Sequence, residues 1–361
     1  MSTLFFIIFS IPFSVNGLWF DLIQTPIILI SFYYFFKFVM SKRPRHEDLF
    51  FSIFFLTIAF FIKQQVIWLP FWFLAVLVFK FGKKTVNILS ENFYFVIPLL
   101  ILLVFQLILF WQKGTLADFL YWNYYFPFLK ASKMPGYILF PTVRELMIVA
   151  ALFLIFMPVL IKKKFNVNFI ILTSFIMILF AYPRFDYFHL VPSLSILSIS
   201  FGENFKTVLK SKILAKSVFA VSLIFLIAFT ARYFTKNWTK ETRFFEENII
   251  APANFLKRVV PISEPIYIQN GPDQMLVLSD RIPVRPWVDE FPWYLEIPGL
   301  QEKVIEGIKE QNPKFIIFKP YDKGSKYELG VYRPKEIADY LDENYQNFFQ
   351  ISDTLWLKIR K

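Results

Sequence analysis

Ala181-Tyr-Pro-Arg-Phe-Asp-Tyr-Phe-His-Leu-Val-Pro192 sets an arginine, an aspartate and a histidine between two strongly apolar runs. The runs on either side, Val167 to Tyr182 and His189 to Phe201, read as membrane segments. Charge at the edge of such segments is costly, because hydrocarbon offers no water to solvate it. A chain that keeps Arg184, Asp186 and His189 there is expected to use them. The other histidine, His46, lies in an ordinary basic loop.

Working outward, the same apolar texture fills the first two thirds of the chain. Of its 361 residues 56% are hydrophobic and 49 are phenylalanine, more than a soluble core absorbs. The reading is a polytopic α-helical membrane protein with a small C-terminal α/β extramembrane domain. About nine segments are expected, each shorter than or near the roughly 20 residues that a straight span needs. They are Thr3 to Val15, Phe20 to Met40, Leu49 to Ile62, Val66 to Phe79, Phe93 to Trp111, Glu145 to Ile161, Val167 to Tyr182, His189 to Phe201 and Ile213 to Arg232. The short ones would be tilted or partly inserted. Met1 to Ser14 lacks a basic leader and a good cleavage site, so it reads as a retained helix rather than a cleaved signal.

The formal charge of +12 superficially suggests nucleic acid. Almost all of the excess lies before Arg232, in short clusters between apolar runs, as it does in cytoplasmic loops. No basic stripe with base-reading residues accompanies it, so no nucleic-acid partner is expected. Lys42-Arg43-Pro44-Arg45, Lys80 with Lys83-Lys84, Lys162-Lys163-Lys164 and Lys206 to Lys216 are assigned inside. Asn16-Gly17, Lys63 to Gln65, Lys113 to Arg144 and Tyr182 to Phe188 then face outward. Everything after Arg232 follows them, in a multi-pass protein of the cytoplasmic (inner) membrane. There are no cysteines, which excludes disulfides and thiolate metal sites.

Two domains are expected, a membrane domain over 1–231 and an exported α/β domain over 232–361. In the second, Pro265 to Gln269 and Lys314 to Phe318 read as buried strands. Leu300 to Gln311 and Pro334 to Asn344 read as helices with Val304, Ile305, Ile308, Ile337, Tyr340 and Leu341 inward. Gln346 to Ile351 and Thr354 to Ile359 close a mixed sheet. No Gly-rich phosphate loop follows any strand, so no nucleotide cofactor is expected.

The candidate binding residues lie at the outer rim. Arg184 would fork two hydrogen bonds to a phosphate, pair with Asp186, or snorkel to headgroups. Tyr182 is pushed out of helical geometry by Pro183. Lys63, on the turn Lys63-Gln64-Gln65, would assist a phosphate or simply end a helix. Trp122 and Asn123, near Asp118 in an aromatic outer loop, would line a sugar or lipid groove or form an interfacial belt. Arg144-Glu145 reads as a local pair or a helix cap. Asp21 reads as an acid favoured by a helix N-terminus, or as a functional carboxylate. Too few His and carboxylate ligands cluster for a metal site. Ser193 and Ser195 lie near His189, but no nucleophile elbow surrounds them.

Taken in order, these stretches resemble the GT-C glycosyltransferases, the polyprenyl-phosphate-sugar-dependent enzymes related to protein O-mannosyltransferases and lipid A aminoarabinose transferases. Gly17-Leu-Trp-Phe-Asp-Leu22, Ile62-Lys-Gln-Gln65, Tyr121-Trp-Asn123, the Tyr182 to Pro192 motif, Tyr267-Ile-Gln-Asn270 and Leu278-Ser-Asp-Arg281 carry the resemblance. It implies transfer of a sugar from a lipid-linked donor to a protein, lipid or glycan acceptor, with Arg184, His189 and Lys63 around the donor phosphate. That family keeps its catalytic carboxylate in a long outer loop after its first span. Here that loop is a few residues around Asn16, so the chain resembles a member without its N-terminal spans, and the base is not transferred to Asp21. A noncatalytic scaffold or accessory subunit, and a lipid-linked sugar transporter or flippase, remain the alternative classes.

Overall fold

A computed structural model describes residues 1–15, 17–91, 96–131, 138–160, 165–242, 245–286, 295, 297–319 and 335–361. The chain divides into two compact units, the first carrying the helices up to Lys240 and the second running from Glu241 to Lys361.

The first unit is helical. Its elements are α1 (Ser2–Phe13), α2 (Phe20–Met40), α3 (His46–Ile62), a 3-10 turn at Gln64–Ile67, α4 (Trp68–Phe81), α5 (Lys84–Glu91), α6 (Val96–Gln112) and α7 (Leu116–Leu120). A π-helical stretch at Tyr121–Lys130 follows, then α8 (Val143–Leu154), α9 (Met157–Leu160), α10 (Phe165–Ile176) and two 3-10 turns, Met177–Ala181 and Tyr187–Leu190. α11 (Val191–Ile199), α12 (Phe201–Leu209) and α13 (Ile213–Asn237) complete it.

Among the described residues, three helical runs are long and apolar enough to cross a membrane: Phe20–Met40, Gln64–Phe81 and Ile213–Asn237. Ser2–Phe13, Val96–Gln112, Phe165–Ala181 and Tyr187–Ile199 are apolar but shorter. The expected sixth segment is broken at Ile155-Phe156, two residues before Pro158, which supplies no N–H to continue a helical ladder. α5 and α12 are helices where basic loops are expected; both are amphipathic, with Thr85 on α5 and Asn204, Thr207 and Val208 on α12 turned inward. The triple lysine 162–164 and the segment 92–95 lie outside the described residues.

α2 and α3 form an antiparallel hairpin whose register is fixed by polar contacts. Lys37 pairs with Asp48 at 2.7 Å near the connection. Ser31 donates to the Ser52 carbonyl at 2.8 Å in the middle. Gln24 donates to the Ala59 and Lys63 carbonyls at 2.7 and 2.8 Å near the far end. Small hydroxyls let apolar helices approach closely, and an amide buried in such a seam must find backbone partners. Around the hairpin pack Ile28, Phe32, Phe35, Phe73, Phe169 and Met177. A second cluster, including Phe5, Phe13, Leu152, Phe156, Leu194 and Leu226, joins α1, α8, α11 and α13.

The second unit holds α14 (Glu247–Val259), β1 (Tyr267–Gln269), α15 (Gln274–Ser279), α16 (Leu300–Gln311), β2 (Phe315–Phe318), α17 (Lys335–Asn344), β3 (Tyr345–Ser352) and β4 (Leu355–Arg360). The sheet order is β1-β2-β4-β3, with β1 parallel to β2 and the other pairs antiparallel. Leu256, Met275, Ile317 and Leu357 fill one face; Val304, Ile308, Ile316, Ile337 and Leu341 fill the other. Period-2 alternation along β2 sends Ile316 and Ile317 to opposite cores. α14 and α15 add to the elements expected from the sequence, and Pro334 lies outside the described residues.

Candidate functional site

The site forms where the open ends of the α2–α3 hairpin meet the turn before α11. Asp21 sits in the first turn of α2, behind an extended Trp19. Lys63 ends α3 in extended geometry and starts the 3-10 turn Gln64–Ile67. His189 lies in the turn Tyr187–Leu190. These three side chains converge. Lys63 Nζ donates to Asp21 Oδ2 at 2.6 Å and lies 2.9 Å from His189 Nδ1. His189 Nδ1 also lies 3.1 Å from Asp21 Oδ1.

Asp21 is 1% exposed and His189 is 7% exposed, so the cluster is shielded from solvent. An ammonium has only donors and a carboxylate only acceptors. The imidazole can accept from Lys63 with its proton on Nε2, or donate from Nδ1 to Asp21, and the two tautomers place the proton at opposite edges of the ring. A ring between an acid and a cation is thus a site at which a proton can change position without any heavy atom moving far.

Aromatic rings wall the cluster. Trp19 and Phe188 stack at 4.0 Å with planes 9° apart, and Lys63 Nζ lies 5.5 Å from the Phe188 centroid. Trp19 Nε1 is anchored on the Ser14 carbonyl at 2.8 Å. Rings exclude water and leave the ion pair in a weak dielectric, where each charge interacts more strongly with its neighbour than it would in water.

A pocket of about 210 Å³ opens beside Lys63, lined by Phe60, Phe61, Ile62, Lys63, Gln64, Gln106, Phe119, Asn123 and Tyr124. It brings together three residues singled out in the sequence, Lys63, Gln64 and Asn123. Asn123 donates to the Phe119 carbonyl at 3.0 Å, a bond that holds the first turn of the π-helical stretch. Trp122 packs instead against Tyr121 and Phe126, at 5.0 and 5.1 Å between rings.

The other candidates take different positions. Tyr182 is extended, with φ −89° and ψ 140°, as the following proline requires. Its side chain is exposed and its carbonyl accepts from Gln65 Nε2 at 3.3 Å. Arg184 is partly buried, on a strand-like step bridged in parallel to Leu139. Leu139 N donates to the Pro183 carbonyl at 3.0 Å, and Phe185 N donates to the Leu139 carbonyl at 2.9 Å. Asp186 accepts from Tyr187 N at 2.7 Å and so caps the turn that carries His189. Of the readings for Arg144-Glu145, the cap is realised: Glu145 completes a capping box with Thr142 at the start of α8.

Gln24 and Gln106 are not singled out in the sequence, and Asp21 is singled out there without its partners. Asp21 and Lys63 mirror one another about the Ser41–Arg45 connection, and hairpin symmetry is the signal that could have paired them. Gln106 is the single polar side chain within the apolar run Val96–Trp111 of α6, and that isolation is its signal. Among the described residues, no group of His, Cys, Asp or Glu is placed to hold a metal ion. No protein-family model matches this chain, and comparison with curated proteins finds no match.

Proposed function

We propose that this chain is a multi-span membrane glycosyltransferase. In this reading it moves a sugar from a polyprenyl-phosphate carrier to a protein, lipid or glycan acceptor at the outer face of the cytoplasmic membrane, with the C-terminal unit outside. The observation that carries the reading is the cluster of Asp21, Lys63 and His189 beside the amide-lined pocket of Gln64, Gln106 and Asn123.

The chemistry follows from those groups. Breaking a sugar–phosphate bond builds negative charge on the departing phosphate. Fixed cations aimed at that charge lower the barrier, by about a hundredfold or more per donor in sites of this kind. In this reading Lys63 supplies one such cation and Arg184, five residues before His189 in the chain, a second. The acceptor hydroxyl must lose a proton, and the Asp21–His189 pair can take one. A pocket walled by Phe60, Phe61, Phe119 and Tyr124 with amides at its rim suits a sugar, whose CH faces stack on rings and whose hydroxyls pair with amides.

The test is transfer from radiolabelled polyprenyl-phosphate sugar in membranes carrying wild type, Asp21→Asn, Arg184→Ala or Arg184→Lys. A fall of about a hundredfold is expected for Asp21→Asn and for Arg184→Ala, with partial activity in Arg184→Lys. Turnover equal to wild type in all three removes the reading. A noncatalytic scaffold is the second reading. It is favoured by the mutual pairing within the cluster, since charges that satisfy one another also serve to fix helix register. Stable protein with no transfer from any lipid-linked sugar would favour it.

A further inference from the structure

We propose that Arg144 and Arg232 form a binding site for the phosphate of an anionic lipid whose hydrocarbon chain lies in the groove between α8 and α13. The site is separate from the Asp21 cluster, and the proposal does not depend on sugar transfer. α8 and α13 pack against each other. Arg144 lies in the first turn of α8 and Arg232 near the end of α13, and the two residues line one pocket. They share a pocket of about 190 Å³ with Ile148, Phe225, Ala228 and Phe229.

The lining has two parts with different chemistry. Ile148 lies one turn beyond Arg144 on α8. Phe225, Ala228, Phe229 and Arg232 recur at helical spacing, which puts them on one stripe of α13. The lining is therefore apolar along most of its length, with an arginine contributed by each helix. Glu145, the acid nearest Arg144 in sequence, has its carboxylate turned back to Thr142: Oε2 accepts from Thr142 N at 2.8 Å and from Oγ1 at 2.9 Å. α13 is long and apolar enough to cross a membrane, and Val221, Ile224 and Ile227 are exposed along it.

Charge complementarity selects the occupant. Two planar forks in one pocket match the oxygens of a phosphate mono- or diester, each fork able to make paired hydrogen bonds. The apolar lining matches a chain attached to that phosphate. Inorganic phosphate offers the same oxygens but nothing for Ile148, Phe225 or Phe229. A zwitterionic lipid offers the chain but balances the phosphate with its own cation.

The experiment uses the full chain reconstituted in phosphatidylcholine vesicles with a trace of spin-labelled phosphatidylglycerol, or spin-labelled phosphatidylcholine as reference. The protein-immobilised fraction is read by electron paramagnetic resonance. Wild type should retain phosphatidylglycerol over phosphatidylcholine. Arg144→Gln and Arg232→Gln should each weaken that preference by about fivefold, and together should remove it. Lys212→Gln, at the opposite end of α13, should leave it unchanged. Ala228→Trp, which fills the groove while keeping both arginines, should lower retention of phosphatidylglycerol as well. Both arginines are exposed, so the variants are expected to fold, and the elution profile in detergent checks that. A preference that survives the double substitution overturns the proposal. So does full displacement of the labelled lipid by millimolar inorganic phosphate, which would make free phosphate the ligand.

Discussion

Asp21 and Lys63 stand 42 residues apart in sequence, and their side chains meet at 2.6 Å. The hairpin that joins them carries a second ion pair, Lys37 with Asp48, at the other end. The two pairs differ in surroundings. Asp48 is shared between Lys37 and the exposed Arg45, 3.5 Å away, next to a basic connection. Asp21 is 1% exposed and faces a half-shielded lysine, a buried imidazole and aromatic rings. The same geometric device therefore serves registry at one end and a low-dielectric cluster at the other.

Breaking the inner pair from one side should cost more than removing it altogether. Lys63→Met strands the buried Asp21 carboxylate, a loss of about 3 kcal/mol, and Asp21→Asn leaves the partly exposed Lys63 ammonium unpaired at a smaller cost. The double variant leaves no orphan charge and should recover more than half of the larger loss. Thermal unfolding in detergent of the two single variants and the double variant checks this. Simple additivity of the two losses would show that the residues do not act as a pair.

Much of the helical body is legible from hydropathy, and α2 is bounded in the sequence reading just as it is in the structure. The reasons for the misses are physical. α5 and α12 carry lysines that mark them as loops on a charge criterion, yet both are amphipathic helices, with Thr85 of the first and Phe201, Asn204, Thr207 and Val208 of the second buried. The break at Ile155-Phe156 depends on Pro158, and apolar content alone does not register it. Among the candidates, Arg184 and His189 stand out in the sequence because charge between apolar runs is rare. Asp21 reads from its own neighbours only as an acid at a helix N-terminus or a functional carboxylate. Its burial comes from Lys63 and His189, which no local window contains.

Close approach of α10 and α11 rests on two serines. Ser174 Oγ and Ser193 Oγ are 2.9 Å apart, and each hydroxyl also lies 2.7 Å from the other residue's carbonyl oxygen. Alanine at either position keeps the small volume and should cost about 0.6 kcal/mol, the usual worth of such a bond between membrane helices. Leucine cannot fit at that separation, so Ser174→Leu should lower folded yield and unfolding temperature far more than Ser174→Ala. Equal behaviour of the two variants would mean that the helices are not held this close.

In the C-terminal unit, Gly307 of α16 allows the chain at Arg285 to lie against the helix. A Cβ at Gly307 would overlap the Arg285 carbonyl. Gln311, one turn on, accepts from Arg285 N at 3.0 Å and donates to the same residue's carbonyl. Gly307→Ala should destabilise the unit by about 2 kcal/mol despite alanine's better helix propensity, because backbone must shift to admit the methyl group. Chemical denaturation followed by circular dichroism reads the effect, and a gain in stability would refute the contact.

The same unit should weaken in alkali through Tyr345. Its side chain is 3% exposed, and its hydroxyl donates to the Pro313 carbonyl at 3.0 Å. Burial disfavours the phenolate and, with lesser contributions from Tyr340 and Glu264 against Arg360, pushes the phenol from 10.0 up to about 12. A raised pKa in the folded state means that the unfolded chain releases this proton first. The stabilisation is complete below pH 10 and is lost as pH climbs through about 12. Tyr345→Phe keeps the ring in the core, gives up one hydrogen bond and has no proton to release. The variant should therefore be less stable than wild type at neutral pH, and the gap should close as pH rises through that window. Unfolding midpoints of the two proteins at stepped pH give the comparison, and a gap that stays constant would show that Tyr345 is not the group whose ionisation weakens the fold.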